Sequence, residues 1–283
     1  MSESAATALP QPPSRAVVLR QLAGTLRLEL RRSLLARRSL AVHFLAFAPV
    51  ALVALWAFSP FPLRQLDGVD EAATLFAVMF EAYLRVSIFF SALFLFVNLY
   101  RAEILERSLH YYFLAPVRRE VVAGGKYLAA LVVGCSIFVL STALLFVLTL
   151  VPWGGSAFAT YVLRGPGLGN LLAYLAVVVM AFAGYGAIFL VIGLLFRNPV
   201  IPAAILWLWE AANLALPPLL KRFSVVFYLQ SIYPVPISRS LFEVVAEPPP
   251  VWLSVLGGIL VTLAVLAFAG WKVRRMEISY GGE

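Results

Sequence analysis

The sequence predicts an all-α integral membrane protein: six transmembrane helices behind an N-terminal amphipathic helix that lies in the interface. Three observations carry this. Of 283 residues, 62% are hydrophobic and only 13% charged, about half the charged fraction of a soluble domain. Mean hydropathy is +0.92. The apolar residues come in runs of about twenty, enough to cross a hydrocarbon core of about 30 Å, and not at a period that leaves one face polar. Ten-residue segments of alternating polarity, which a membrane β-barrel needs, do not recur.

Residues 1–15, MSESAATALPQPPSR, are polar and proline-rich and are expected to be disordered. Nothing in them reads as a cleavable signal, so the first span is expected to direct insertion. Over residues 16–38, Leu19, Leu22, Leu26 and Leu30 recur at helical spacing while Arg20, Arg27, Arg31 and Arg38 gather on another side. That pattern is an interfacial amphipathic helix. The spans follow near 40–59, 79–100, 127–151, 168–196, 199–218 and 251–271, within a membrane domain of residues 39–271. In the last one Trp252 and Trp271 stand 19 residues apart, about 28 Å along a helix, one indole for each interfacial belt. Between spans five and six, the outer segment 219–250 has apolar patches too short to cross and prolines that break any single helix, which suits short interfacial or re-entrant helices.

Sixteen of the 22 Lys and Arg residues fall on the side of the N-terminal segment, the loop after span two and the 272–283 tail, five fall on the other, and Arg85 lies within a span. Both termini are therefore expected to be cytoplasmic. The net charge of +8 follows from this bias and suits contact with anionic membrane lipids, not nucleic acid. The sole cysteine, Cys135, excludes an intramolecular disulfide and sits in an apolar run as a small packing residue.

Several polar residues interrupt the spans. Glu210 is 11 residues beyond Pro199, about 16 Å into the bilayer if a span starts there. A carboxylate at that depth either lines or gates a pathway, or is a hydrogen-bonded residue holding helices together, and both readings stand. Trp207 and Asn213 are candidates for the same polar seam. Glu81 and Arg85 form an i, i+4 pair expected in the outer third of span two, as an intrahelical pair or a substrate clamp.

The segment 101–126 reads RAEILERSLHYYFLAPVRREVVAGGK. Glu103 with Arg107 and Glu106 with His110 support a short helix, Pro116 breaks it, and Glu120 suits the start of the next. Gly124 and Gly125 allow a bend or close packing, and Lys126 is expected to snorkel from the boundary. The run through L-x-x-P-V-x-R to G-K before a span, here LAPVRREVVAGGK, resembles the permease subunits of ATP-binding-cassette (ABC) type-2 transporters. The broader plan of interfacial helix, six spans and basic tail is similar to theirs.

That resemblance implies an exporter in a bacterial or archaeal cytoplasmic membrane. It also implies that Glu103, Glu106, Arg107, Pro116, Arg118, Arg119 and Glu120 form the surface that couples to a separate ATPase, and that spans two and five line the route. Arg118 stands where the family often has a small hydroxyl residue. The chain has no G-x-x-x-x-G-K-[ST] loop, so ATP and Mg²⁺ are expected on ABC ATPase partners and no cofactor in this chain. A second permease, identical or homologous, is expected to complete the pathway. The alternative is an ATP-independent secondary carrier using Glu210 as a proton or cation site. An embedded enzyme is disfavoured because no metal-binding or nucleophilic constellation appears.

Overall fold

The computed structural model describes residues 20–21, 23–24, 26–27, 39–59, 68–105, 119–213, 215–235 and 249–275. Among them all regular structure is helical: α1 (Ser39–Ala57), α2 (Val69–Tyr83), α3 (Phe89–Leu105), α4 (Arg119–Leu150), α5 (Gly155–Ala159), α6 (Gly167–Leu195), α7 (Val200–Ala212), α8 (Pro218–Lys221), α9 (Val225–Gln230) and α10 (Val251–Arg274). A π-helical turn, Leu84–Ile88, joins α2 to α3 without a break. Five stretches are long and apolar enough to cross a membrane: α1, α2–α3, α4, α6 and α10. The six described residues between Arg20 and Arg27 are helical. The 1–15 tail, the rest of the expected interfacial helix, the hinge residues 106–118, outer residues 236–248 and tail residues 276–283 lie outside the described residues.

α6 is the central helix, packed against α3, α4 and α10. Small residues permit this. A Cβ on Gly193 would stand 2.8 Å from the Val97 carbonyl oxygen of α3, and one on Gly186 would stand 2.5 Å from the Phe96 ring. Glycine at both positions lets the two helices approach to backbone contact. Around these contacts Phe76, Phe80, Phe89, Phe138, Phe146, Tyr174 and Phe182 form a buried aromatic core, with edge-on pairs such as Phe76–Tyr174 at 4.8 Å and Phe89–Phe189 at 5.1 Å. Tyr83 pins three helices at one point, donating to the Ala46 carbonyl at 3.1 Å and lying 2.5 Å from the Ser141 hydroxyl.

Ring and backbone contacts set the directions. Along α2–α3 and α6, Phe76 meets Tyr174, Phe89 meets Phe189 and Val97 meets Gly193, so these two run parallel. α4 runs against them, with Phe146 beside Phe76 and Tyr127 beside Phe96. α10 is parallel to α6, since the Cβ position of Gly258 is 3.1 Å from Met180 and Leu266 shares a groove with Leu190. Two parallel neighbours demand a return between them. The chain from 196 to 250 must therefore climb back along the bundle.

That return differs from the expected single span 199–218. α7 has 13 residues, about 20 Å, well short of a hydrocarbon core. It stops at Asn213, Pro217 and Pro218 open the short α8, and α9 follows after Ser224. Proline 218 cannot continue the hydrogen-bond ladder, and the side chain of Glu210 engages the start of α9 instead.

Two other spans are longer than their apolar runs. Helix begins at Val69 instead of 79, with Asp70 and Glu71 in the first turn, favourable at a helix N-terminus, and Ala72, Ala73, Phe76 and Ala77 buried behind them. α4 begins at Arg119 and continues as helix through Gly124 and Gly125. Lys126 accordingly does not snorkel: it is fully buried, its ammonium 5.8 Å from the centre of the Tyr100 ring.

Candidate functional site

The π-helical turn widens the long α2–α3 helix where Arg85 sits, and such single wide turns recur at functional positions. Glu81 and Arg85 are one turn apart on a common face, and Arg85 Nε donates to Glu81 Oε1 at 2.7 Å while Nη2 lies 2.5 Å from the same oxygen. The expected intrahelical pair therefore forms, but not as an isolated one. Arg85 Nη1 donates to the main-chain carbonyl of Glu210 in α7 at 2.6 Å, and the Trp207 indole N–H donates back to the Arg85 carbonyl at 3.2 Å. Gln230, the last residue of α9, donates to Glu81 Oε1 at 2.9 Å. The Arg85–Glu81 pair thus ties the long helix to both arms of the broken return, the guanidinium to α7 and the carboxylate to α9.

The Glu210 carboxylate points to α9. It accepts from the Ser224 hydroxyl at 2.6 Å, from Val225 N–H at 2.8 Å and from Val226 N–H at 3.2 Å. Ser224 is also the N-cap of α9, with Phe227 N–H donating to its oxygen. The local logic is plain. The first N–H groups of a helix have no intrahelical acceptor, a cost water cannot remove in a buried setting, and a carboxylate satisfies them with favourable charge. Both oxygens of Glu210 are engaged by these donors, and the residue is 2% exposed.

Some capacity is left over. Among the described residues, Glu81 Oε2, the Tyr233 and Tyr174 hydroxyls and Asn213 Nδ2 are buried without a hydrogen-bond partner. The Tyr233 ring lies 5.7 Å from Phe80 and 6.0 Å from Tyr174. Burial pushes the Tyr233 phenol well above its ordinary range, and the neighbouring Glu81 carboxylate adds to this, so it stays a neutral donor. Unpaired buried polar atoms are rare in native structures. Here the Tyr233 phenol and the Glu81 carboxylate face each other, beside a wall formed by Phe80 and Tyr174.

Of the residues singled out from the sequence, Glu81, Arg85, Trp207 and Glu210 meet in one hydrogen-bonded cluster. Asn213 is buried at the end of α7, where its N–H reaches back to the Glu210 carbonyl at 3.4 Å. Gln230, Ser224 and Tyr233 escaped sequence reasoning. Ser224 before VVFYLQ carried an N-cap signal, whereas Gln230 and Tyr233 carried none, because only the return of the chain brings them to Glu81.

At the hinge end, Glu120 in the first turn of α4 pairs with Arg274 Nε of α10 at 2.8 Å, and Arg119 begins the helix beside it. The backbone of Glu103 lies in the last turn of α3. Its side chain, and Glu106, Arg107, Pro116 and Arg118, lie outside the described residues. His43 has Nδ1 2.7 Å from the Ser39 carbonyl and stacks on Phe47. The chain matches no known protein-family model, and no curated protein matches it.

Proposed function

We propose that this chain is the membrane permease subunit of an ABC type-2 transporter working as an exporter. A separate ATPase supplies the energy, a second permease completes the pathway, and both termini are cytoplasmic in a bacterial or archaeal membrane. The observation that carries the reading is α4. It runs unbroken for 32 residues from the polar hinge LAPVRREVVAGGK, about 48 Å, some 18 Å more than a hydrocarbon core. Its first turns therefore stand outside lipid, joined to α10 through Glu120 and Arg274. A continuous helix transmits displacement along its axis, so a motor gripping the hinge moves α4 and α10 as one body.

The polar cluster supports the same reading. It joins α2–α3 to the α7–α9 return, the two parts of the chain that correspond to spans two and five. In the secondary-carrier alternative Glu210 must release and rebind a proton or cation, and three donors already occupy it. The geometry favours Glu210 as the residue that holds the broken return together.

The test is reconstitution with the cognate ATPase. Altering Glu103, Arg107 and Arg119 together is expected to abolish stimulation of ATP turnover by the permease while leaving the chain folded. Unchanged turnover overturns the coupling assignment, and gradient-driven uptake by this chain alone establishes the carrier instead.

A further inference from the structure

We infer that the groove where α4, α6 and α10 meet near the hinge end binds an anionic phospholipid, one acyl chain in the groove and its phosphate against the basic end of α10. The groove has a volume of about 470 Å³ and is walled by Tyr127, Leu128, Leu190, Leu266, Gly270 and Trp271, a size suited to a small apolar ligand. Its only phenol is already satisfied, since Tyr127 donates to the Ala183 carbonyl at 2.8 Å. Apart from the Glu120–Arg274 ion pair at its edge, what remains facing the space is ring and hydrocarbon. The protein does not fill it: no atom stands within 4 Å of where a Cβ on Gly270 would be. Leu128 and Trp271 remain nearly half exposed on its two sides.

Charge chooses the occupant. At that end of α10, Arg274 lines the groove and is paired with Glu120, the one carboxylate lining it among the described residues, while Lys272 and Arg275 belong to the same end of the helix. The Arg275 guanidinium lies over the Trp271 ring at 4.5 Å, so an interfacial indole and a cation together mark the level of lipid headgroups. Each basic residue near an anionic surface favours contact by about fivefold in affinity. A zwitterionic lipid would fill the same apolar space but gain nothing from this excess. This inference needs only the groove and its charges, and stands whether or not the transport reading does.

The test uses the full chain in phosphatidylcholine vesicles holding a minor fraction of brominated phosphatidylglycerol or, in parallel, brominated phosphatidylcholine. Quenching of Trp271 is read as the difference between the parent protein and Trp271→Phe. We expect phosphatidylglycerol to associate at least about fivefold more strongly, as one well-placed cation requires. The pair Lys272→Gln with Arg275→Gln should bring that ratio close to one. Gly270→Leu, which extends a side chain from a position where a Cβ meets nothing within 4 Å, should remove the preference while the unfolding midpoint holds; Leu128→Trp fills it from the opposite wall if that variant proves unstable. Equal quenching by the two lipids overturns the inference. So does a preference that survives filling of the groove, which would mark only general attraction to the surface, or one that survives loss of the two charges.

Discussion

Glu210 illustrates how a carboxylate far from water is held by the start of a helix, through two backbone N–H groups and the N-cap hydroxyl. Its three donors all belong to the start of α9, so its removal exposes a helix end as well as deleting a side chain. Glu210→Ala is expected to lower stability by about 1–3 kcal/mol, the cost of leaving buried donors unmet. Glu210→Gln, which keeps one acceptor, should cost less. Both are read from thermal unfolding in detergent. Gly193 makes a steric prediction of opposite logic. Gly193→Ala drives a methyl towards the Val97 carbonyl and should destabilise by about 1–3 kcal/mol. Gly169→Ala in the same helix meets nothing within 4 Å and should stabilise by about 0.5–1 kcal/mol. Similar effects at the two sites would refute the close approach of α3 and α6.

Between elements, the Glu81–Arg85 pair is coupled to its surroundings on both sides. The side chains are 16% and 13% exposed, so loss of one partner leaves a mostly buried charge. Arg85→Leu should cost about 3 kcal/mol, the lower end for buried pairs because some water reaches this one. Adding Glu81→Gln should recover part of that loss, and a double-mutant cycle with no coupling would refute the cluster. The Glu120–Arg274 pair is different in kind. Its side chains are 39% and 67% exposed, and an ion pair so open to solvent contributes little to folding. Its expected role lies in transmission. Glu120→Arg should leave the unfolding midpoint unchanged and reduce transport per ATP hydrolysed several-fold. Glu120→Arg with Arg274→Glu should restore it. A coupling ratio indifferent to both variants would remove α10 from the moving body.

For the whole molecule, the proposed orientation rests on the arginine and lysine bias, and a cysteine at the hinge tests it directly. In a Cys135→Ser background, Arg118→Cys is expected to react with a membrane-impermeant thiol reagent only after the membrane is opened. Labelling in intact cells would turn the proposal inside out, because no cytosolic motor could reach the hinge. Run length was enough to predict helices long and apolar enough to cross a membrane, five of which form among the described residues, since a bilayer imposes the same requirement on each spanning helix one at a time. The same runs also marked Glu81, Arg85, Trp207 and Glu210, because polar residues in apolar runs are costly and stand out. The length of the second and third spans was less legible: amphipathic turns such as Val69–Val78 and the glycine-bearing start of α4 become helical through burial against neighbours. What folding alone decided is the broken return, where a pair of prolines and the donors of α9 outweigh the apolar character of residues 199–218. Gln230 and Tyr233 reach Glu81 by that route. A contact across some 150 residues has no local period to announce it, and arises only when the parallel packing of α6 and α10 obliges the chain to come back.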